Sequence, residues 1–395
     1  MENIVTSFWN KNKIILKTFL IGMLILLLLI PTFFIQGLVT ERWDRQHQAV
    51  SEISSGWGGS QTITGPVIGI PYNGQESADG NAKVVRKWAC FLPSKLNVRS
   101  RIVPEKRYRG IYNVIVYTTI LQIEGSYDSL HLAELNIPPG NILWNEAAVF
   151  FDISDVQGLK ENVALRFAGA DLDMAPAKFS NEQFKNALSA SLPAAVVASH
   201  DRPLEFSATV KLKGTENLMF VPVGKETHVR AESSWSNPSF TGKYLPDERT
   251  VRDSGFTADW KVLYLNRNFP QQWKDAVHEL DAAAFGVSLI VPVDAYQQTM
   301  RSVKYAILII LLTFTAFLLI EWIYARTIHS LQYVLVGCAL CLFYTLLLSF
   351  AEYIGFNPAY GVASLATIGL ISWYVKSILG STKMSVFIAC LLAVQ

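Results

Sequence analysis

The sequence predicts a membrane protein made of α-helical transmembrane segments plus a large, mostly-β, antiparallel sandwich-like extracytoplasmic domain. Three observations lead there. An uncharged apolar run from Thr18 to Ile35 follows Lys11, Lys13 and Lys17. Three further apolar stretches lie between Tyr305 and Val375. The residues between, 41–304, are polar, punctuated by turn residues and patterned as strands. Hydrophobic residues at 51% and charged residues at 17% describe such a mixture, and a net charge of +2 gives no reason to invoke nucleic acid.

The first run is about 18 residues, which at roughly 1.5 Å per residue covers most of a hydrocarbon core of about 30 Å. A cleaved signal peptide has a shorter apolar region and a small-x-small exit. This run leaves through Gln36-Gly37-Leu38-Val39-Thr40, so an uncleaved anchor over 18–38 is expected. Lysines before it and Trp43 after it place residues 1–17 in the cytoplasm and residue 41 onward outside.

Spans two to four are expected at 305–325, 331–350 and 359–375. Arg326 with His329, and Lys376 with Lys383, fall in the two short loops assigned to the cytoplasm, whereas Glu352–Asn357 has no Lys or Arg. Trp322, Tyr324, Tyr353, Trp373 and Tyr374 occupy span ends, where amphipathic rings are favoured. Met384–Val394 is too short to cross, so 384–395 reads as the start of a truncated fifth span.

Of the four cysteines, Cys338, Cys341 and Cys390 fall in apolar helices, leaving Cys90 alone in the domain, where a core rather than a disulfide must hold the fold. Roughly 260 residues suffice for one large core or two smaller ones. Strands are expected at 111–123, 147–153, 204–212, 218–223, 227–233, 255–260 and 285–293, from β-branched and aromatic content or period-two alternation. Pro138-Pro139-Gly140-Asn141, Lys213-Gly214 and Asn237-Pro238 supply turns. Helices are expected at 181–188 and 271–280.

Chemistry-bearing motifs are sparse. Gly56-Trp57-Gly58-Gly59-Ser60 lacks both phosphate-loop spacings and reads as a turn into the first strand. His200-Asp201 beside Ser199, and His131 with Glu134, are incomplete as a triad and as a zinc site, and read as surface loops. Cys338 and Cys341 have redox spacing but no basic neighbour, and read as packing residues. Glu352 reads as a solvated helix end. The residue of most interest is Glu321, a carboxylate inside the second span and the candidate for an intramembrane polar contact; near the span end, it is also placed to reach the interface or to meet Arg326.

The segment from Trp235 to Trp260, with its Trp-Ser-Asn-Pro-Ser-Phe-Thr-Gly-Lys-Tyr-Leu-Pro-Asp-Glu-Arg start, closely resembles the signature of the CreD family of bacterial inner-membrane proteins. Leu28–Pro31 with Glu41-Arg42, Thr64-Gly65-Pro66, Arg109–Tyr112, Val303–Leu308 and Gln332–Gly337 extend the likeness over nearly the whole chain. The resemblance implies a periplasmic location for the domain, a role in cell-envelope integrity under a two-component stress regulon, no assigned biochemical activity, and more helices after Gln395. The rings of Trp235, Phe240, Tyr244, Phe256 and Trp260 are candidates either for stacking on cell-wall glycan or, more simply, for core packing. The expected function is a non-enzymatic scaffold or sensor in the inner membrane, without cofactors or bound metal, whose partners are the lipid bilayer and another envelope protein or a cell-wall component. A transporter subunit ranks second and a periplasmic hydrolase third.

Overall fold

A computed structural model describes residues 2–78, 81–128, 130, 132–177, 187–198, 203–289, 295–324, 328–380 and 382–394. The chain divides into two compact units, residues 49–292 and residues 1–48 with 293–395.

The first unit is built on strands β1 (Gln61–Ala78), β2 (Asn81–Phe91), β3 (Lys95–Arg109), β4 (Tyr112–Tyr127), β5 (Ala148–Ile153), β6 (Ala164–Phe167), β7 (Ala170–Asp173), β8 (Ala175–Pro176), β9 (Ala187–Ser191), β10 (Leu204–Thr215), β11 (Asn217–Phe220), β12 (Glu226–Ser233), β13 (Pro238–Gly242), β14 (Glu248–Arg252), β15 (Gly255–Leu263), β16 (Gln272–Lys274) and β17 (Phe285–Leu289). One short helix, Ala194–Ala198, follows β9. An eight-stranded sheet runs β14-β15-β12-β3-β4-β10-β6-β7, and a nine-stranded sheet runs β13-β17-β11-β1-β5-β9-β8 with β2 and β16 branching from β1. Pairing is antiparallel except at β1·β11 and β3·β12.

Alternation explains which residues point inward. Along β10, Leu204, Phe206, Ala208, Val210 and Leu212 are buried while Glu205, Ser207 and Thr209 are exposed. The inward sides of both sheets contribute to a single core. It is tied across the sheets where the Tyr127 hydroxyl donates to the Pro66 carbonyl at 2.8 Å. Each large side chain buried this way contributes about 1.5–3 kcal/mol. Pro238 opens the edge strand β13, where the missing N–H costs no ladder bond.

The helix expected at 271–280 is not present. Gln272–Lys274 forms β16 against β2, and only a 3-10 turn follows at Leu280–Ala283. Tertiary pairing wins over helical propensity, because Trp273 is buried opposite Cys90 and the Gln271 side chain donates to the carbonyls of Leu92 and Pro93 at 2.9 and 2.7 Å. Most of the helix expected at 181–188 lies outside the described residues, and its last two residues belong to β9.

The second unit is helical: α1 (Glu2–Trp57), which runs on into the first unit, then α3 (Ala295–Lys304), α4 (Ala306–Tyr324), α5 (Ser330–Ile354), α6 (Phe356–Leu379) and α7 (Thr382–Val394), with α2 the Ala194–Ala198 helix above. α1, α4, α5 and α6 are long and apolar enough to cross a membrane, and α7 is shorter. α1 outlasts its apolar run because residues 39–55 hold neither glycine nor proline, and it stops before Gly58, whose φ is +129°. Ile21, Leu28 and Ile35, seven residues apart, form its buried seam, while Phe19, Met23, Leu26, Phe33 and Phe34 face outward as lipid-facing residues do. Where the seam crosses α5, Gly337 admits the Leu28 side chain.

Candidate functional sites

Lys17 lies one turn before Ile21 and so continues the buried seam of α1. Its ammonium forms an ion pair with Glu321 of α4 and donates to the carbonyl of Ile328 at 2.6 Å. The Tyr333 hydroxyl of α5 donates to the other carboxylate oxygen of Glu321 at 3.4 Å. Glu321 thus meets Lys17, one of the basic residues that flank the first apolar run, and Arg326, its expected neighbour, lies outside the described residues. The available signal was the spacing of Lys17 from Ile21, Leu28 and Ile35.

Farther along α1, Arg42 Nε lies 3.6 Å from Glu352 Oε1 of α5, and the Tyr296 hydroxyl of α3 donates to the same oxygen at 3.2 Å. Glu352 is therefore not a solvated helix end. Its side chain is only 9% exposed, because α3 and α1 both close over it. Lys17 and Arg42 are about 37 Å apart along an ideal helix, slightly more than a hydrocarbon core of about 30 Å. Each end of the first span carries an interhelical ionic clamp.

In the β-unit, the outward face of the eight-stranded sheet is ruled with charge. Register sets Glu248, Asp259, Arg230, Arg99 and Gln122 in one row across β14-β15-β12-β3-β4. Two residues along, Glu232 of β12 stands opposite Arg101 of β3. Arg230 lies 3.5 Å from Asp259. Glu226 accepts from Lys261 at 2.8 Å and from His228 at 2.9 Å, and these hydrogen bonds, that from the Lys261 ammonium foremost, hold its carboxyl down to about 2. Open grooves of 850, 730 and 550 Å³ lie on this face. Among the described residues Arg99 and Arg101 make no ion pair. This face was not legible as a unit because β3 was not among the expected strands, its inward apolar series Leu96, Val98 and Ile102 being interrupted by the buried Ser100.

Four of the five signature aromatics, Phe240, Tyr244, Phe256 and Trp260, join one aromatic cluster with Phe285, and Trp235 packs separately against the core. Phe256 and Trp260 are buried, and Phe240 stands edge-on to both at 5.7 and 5.8 Å. Tyr244 and Trp260 both pack on Phe285 at 5.8 Å, and the partly buried Trp235 donates from its indole to the Asn237 carbonyl at 3.0 Å. Phe256 and Trp260 present no open face for a sugar ring. Close by, the guanidinium of Arg267 is 8% exposed, donates to the Val223 carbonyl and to Gln271, and stacks over Phe269 at 4.6 Å, with burial lowering it to about 10.

Among the described residues the remaining motifs assemble no reactive centre. Gly59 N–H donates to Asp155 Oδ2 at 2.8 Å, so the glycine loop binds its own carboxylate. Among the described residues no group of three His, Cys, Asp or Glu is placed to hold a metal ion. His131, Ser199, His200 and Asp201 lie outside them.

Comparison with known proteins gives two matches. The family model described as inner membrane protein CreD matches residues 13–395. The chain is also similar to the inner membrane protein CreD of Escherichia coli (strain K12), with 33% identity over 362 residues, 90% of this chain and 79% of that relative.

Proposed function

Since the chain belongs to the CreD family of inner-membrane proteins, we propose that it serves cell-envelope integrity as a non-enzymatic scaffold or sensor: helices anchor it in the inner membrane, and the β-unit docks a periplasmic partner through the outward face of the β14-β15-β12-β3-β4 sheet. The carrying observation is that face. Its charges sit on a rigid, extensively paired sheet, lie in rows fixed by register, and leave Arg99 and Arg101 without carboxylate partners among the described residues. Such a surface suits electrostatic recognition of a broad acidic partner, whether another envelope protein or an anionic cell-wall component.

A transporter subunit is the second reading, favoured by the Lys17–Glu321 pair. Transport sites gather near the bilayer midplane, whereas this pair belongs to one end of the first span and is closed by a backbone carbonyl. The scaffold reading therefore ranks first. Its test is a photo-crosslinking amino acid placed at Asn97 of β3 or at Gln122 of β4, both exposed on that face, compared with Val84 of β2, in intact cells. A discrete adduct from the sheet-face positions and none from Val84 is expected. Adducts of equal yield at all three positions, or none at the sheet face, would overturn the docking surface.

A further inference from the structure

Beyond the sheet face, the helical unit carries a groove of 340 Å³ between α1 and α3. Val39 and Trp43 form one wall, Tyr296 and Met300 the other, and Arg301 and Lys304 stand at the rim. α3 is built for this position. Tyr296, Thr299 and Val303 turn into the bundle, while Gln297, Arg301 and Lys304 recur at the helical spacing of the opposite stripe.

The local charges do not balance. At this end of the bundle Arg42 engages Glu352 and Arg45 engages Glu41. Arg301 and Lys304 make no ion pair among the described residues, and both are exposed. The groove also continues onto apolar surface. Leu38 is 45% exposed on the α1 side, and Tyr305 and Leu308 are 66% and 61% exposed where the chain enters α4. A soluble anion has use for the cations but none for this surface.

We propose that the groove binds one anionic phospholipid from the leaflet at that end of the bundle, its phosphate between Arg301 and Lys304 and an acyl chain along Leu38 and Leu308. A zwitterionic headgroup carries its own ammonium and gains less from two unpaired cations. Trp43 and Tyr296 suit the glycerol level, where amphipathic rings are favoured.

The test uses the full chain purified in detergent with a mixture of phosphatidylglycerol and phosphatidylethanolamine, with retained lipid counted by native mass spectrometry. The wild type is expected to hold one phosphatidylglycerol in preference to phosphatidylethanolamine. Arg301→Gln with Lys304→Gln is expected to weaken that retention about 30-fold, as the loss of two basic residues at an anionic lipid surface implies. Lys376→Gln with Lys383→Gln, at exposed positions elsewhere on the helical unit, should leave it unchanged. Met300→Glu keeps both cations but sets a carboxylate in the groove, and should abolish the preference by an independent route. Undiminished phosphatidylglycerol retention in both groove variants would overturn the proposal, as would equal retention of the two lipids by the wild type. Displacement of the lipid by inorganic phosphate alone would assign the groove to a free anion and overturn it too.

Discussion

Gln61 shows how one polar side chain organises the entry to the β-unit. It is wholly buried, donates to the carbonyls of Asp155 and Lys213 at 3.0 Å each, and accepts from Asp155 N–H at 3.3 Å. Glycines permit this approach: a Cβ at Gly158 would lie 2.3 Å from the Lys213 carbonyl oxygen, and one at Gly214 would lie 2.3 Å from the Tyr117 hydroxyl. Gln61→Leu keeps the volume but strands those carbonyls, so urea unfolding of the full chain should show a loss of about 2–4 kcal/mol in the β-sheet transition. A shift below about 0.5 kcal/mol would mean water replaces the carboxamide without cost. Cys90 makes a second prediction. Burial pushes its thiol up from 9.0 to about 12, so the folded state keeps a proton that the unfolded chain releases. Stability from this residue is complete below pH 9 and is lost as pH rises toward 12, at up to about 1.4 kcal/mol per pH unit. The difference between wild type and Cys90→Ala should therefore be flat to pH 9 and shift in favour of the alanine variant above it. A difference independent of pH would show that the thiol is not held neutral by the fold.

At the scale of elements, the helical unit depends on contacts between α1, α4 and α5 at two positions along the seam. Glu321→Gln leaves the partly buried Lys17 ammonium facing an amide and a carbonyl, a loss of about 1.5–3 kcal/mol for a charge-assisted hydrogen bond. Thermal melting in detergent should fall accordingly, and adding Lys17→Met should recover much of it, because no charge is then left unpaired. Failure of the second substitution to restore stability would mean Glu321 acts through some other partner. Gly337→Leu should also destabilise the unit, since a Cβ there would come within 2.2 Å of Leu28 Cδ1, and Leu28→Ala should relieve it. These elements differ in how legible they are. β10 was readable because its exposed side is polar and its buried side apolar over the whole length. β3 alternates with period two from Lys95 to Ile102, but its inward side is interrupted by the buried Ser100 and it holds few β-branched or aromatic residues, so it was less legible than β10. The 271–280 segment misled for the opposite reason: its local pattern suits a helix, while the pairing of Trp273 with Cys90 comes from nearly two hundred residues away. The apolar runs gave the spans, but Lys17 and Glu321 were legible only as individual charges, because their pairing depends on how three helices pack.

For the whole molecule, the two clamps on α1 and the loop charges argue for one arrangement in the bilayer. Lys17–Glu321 and Arg42–Glu352 stand about 37 Å apart along α1, which suits one clamp at each interface with the apolar seam between. The Lys17 end is preceded by Lys11 and Lys13, and His329, Lys376 and Lys383 belong to the loops assigned to the same side. That side is expected to be cytoplasmic, where short loops concentrate basic residues. Arg42, Arg45, Arg301 and Lys304 run against this rule at the other end, and all four are accounted for there: Arg42 and Arg45 by carboxylates on the helical unit, and Arg301 with Lys304 by the lipid groove proposed above. Alkaline phosphatase is active only outside the cytoplasm, so fusions after Gly158 and after Gly355 should be active and a fusion after His329 inactive. An inactive Gly158 fusion would invert the β-unit relative to the membrane and set the lipid groove in the cytoplasmic leaflet. An active His329 fusion would instead separate α4 from α5 as a crossing pair, leaving Glu321 and Glu352 without the interfaces that the two clamps are here taken to mark.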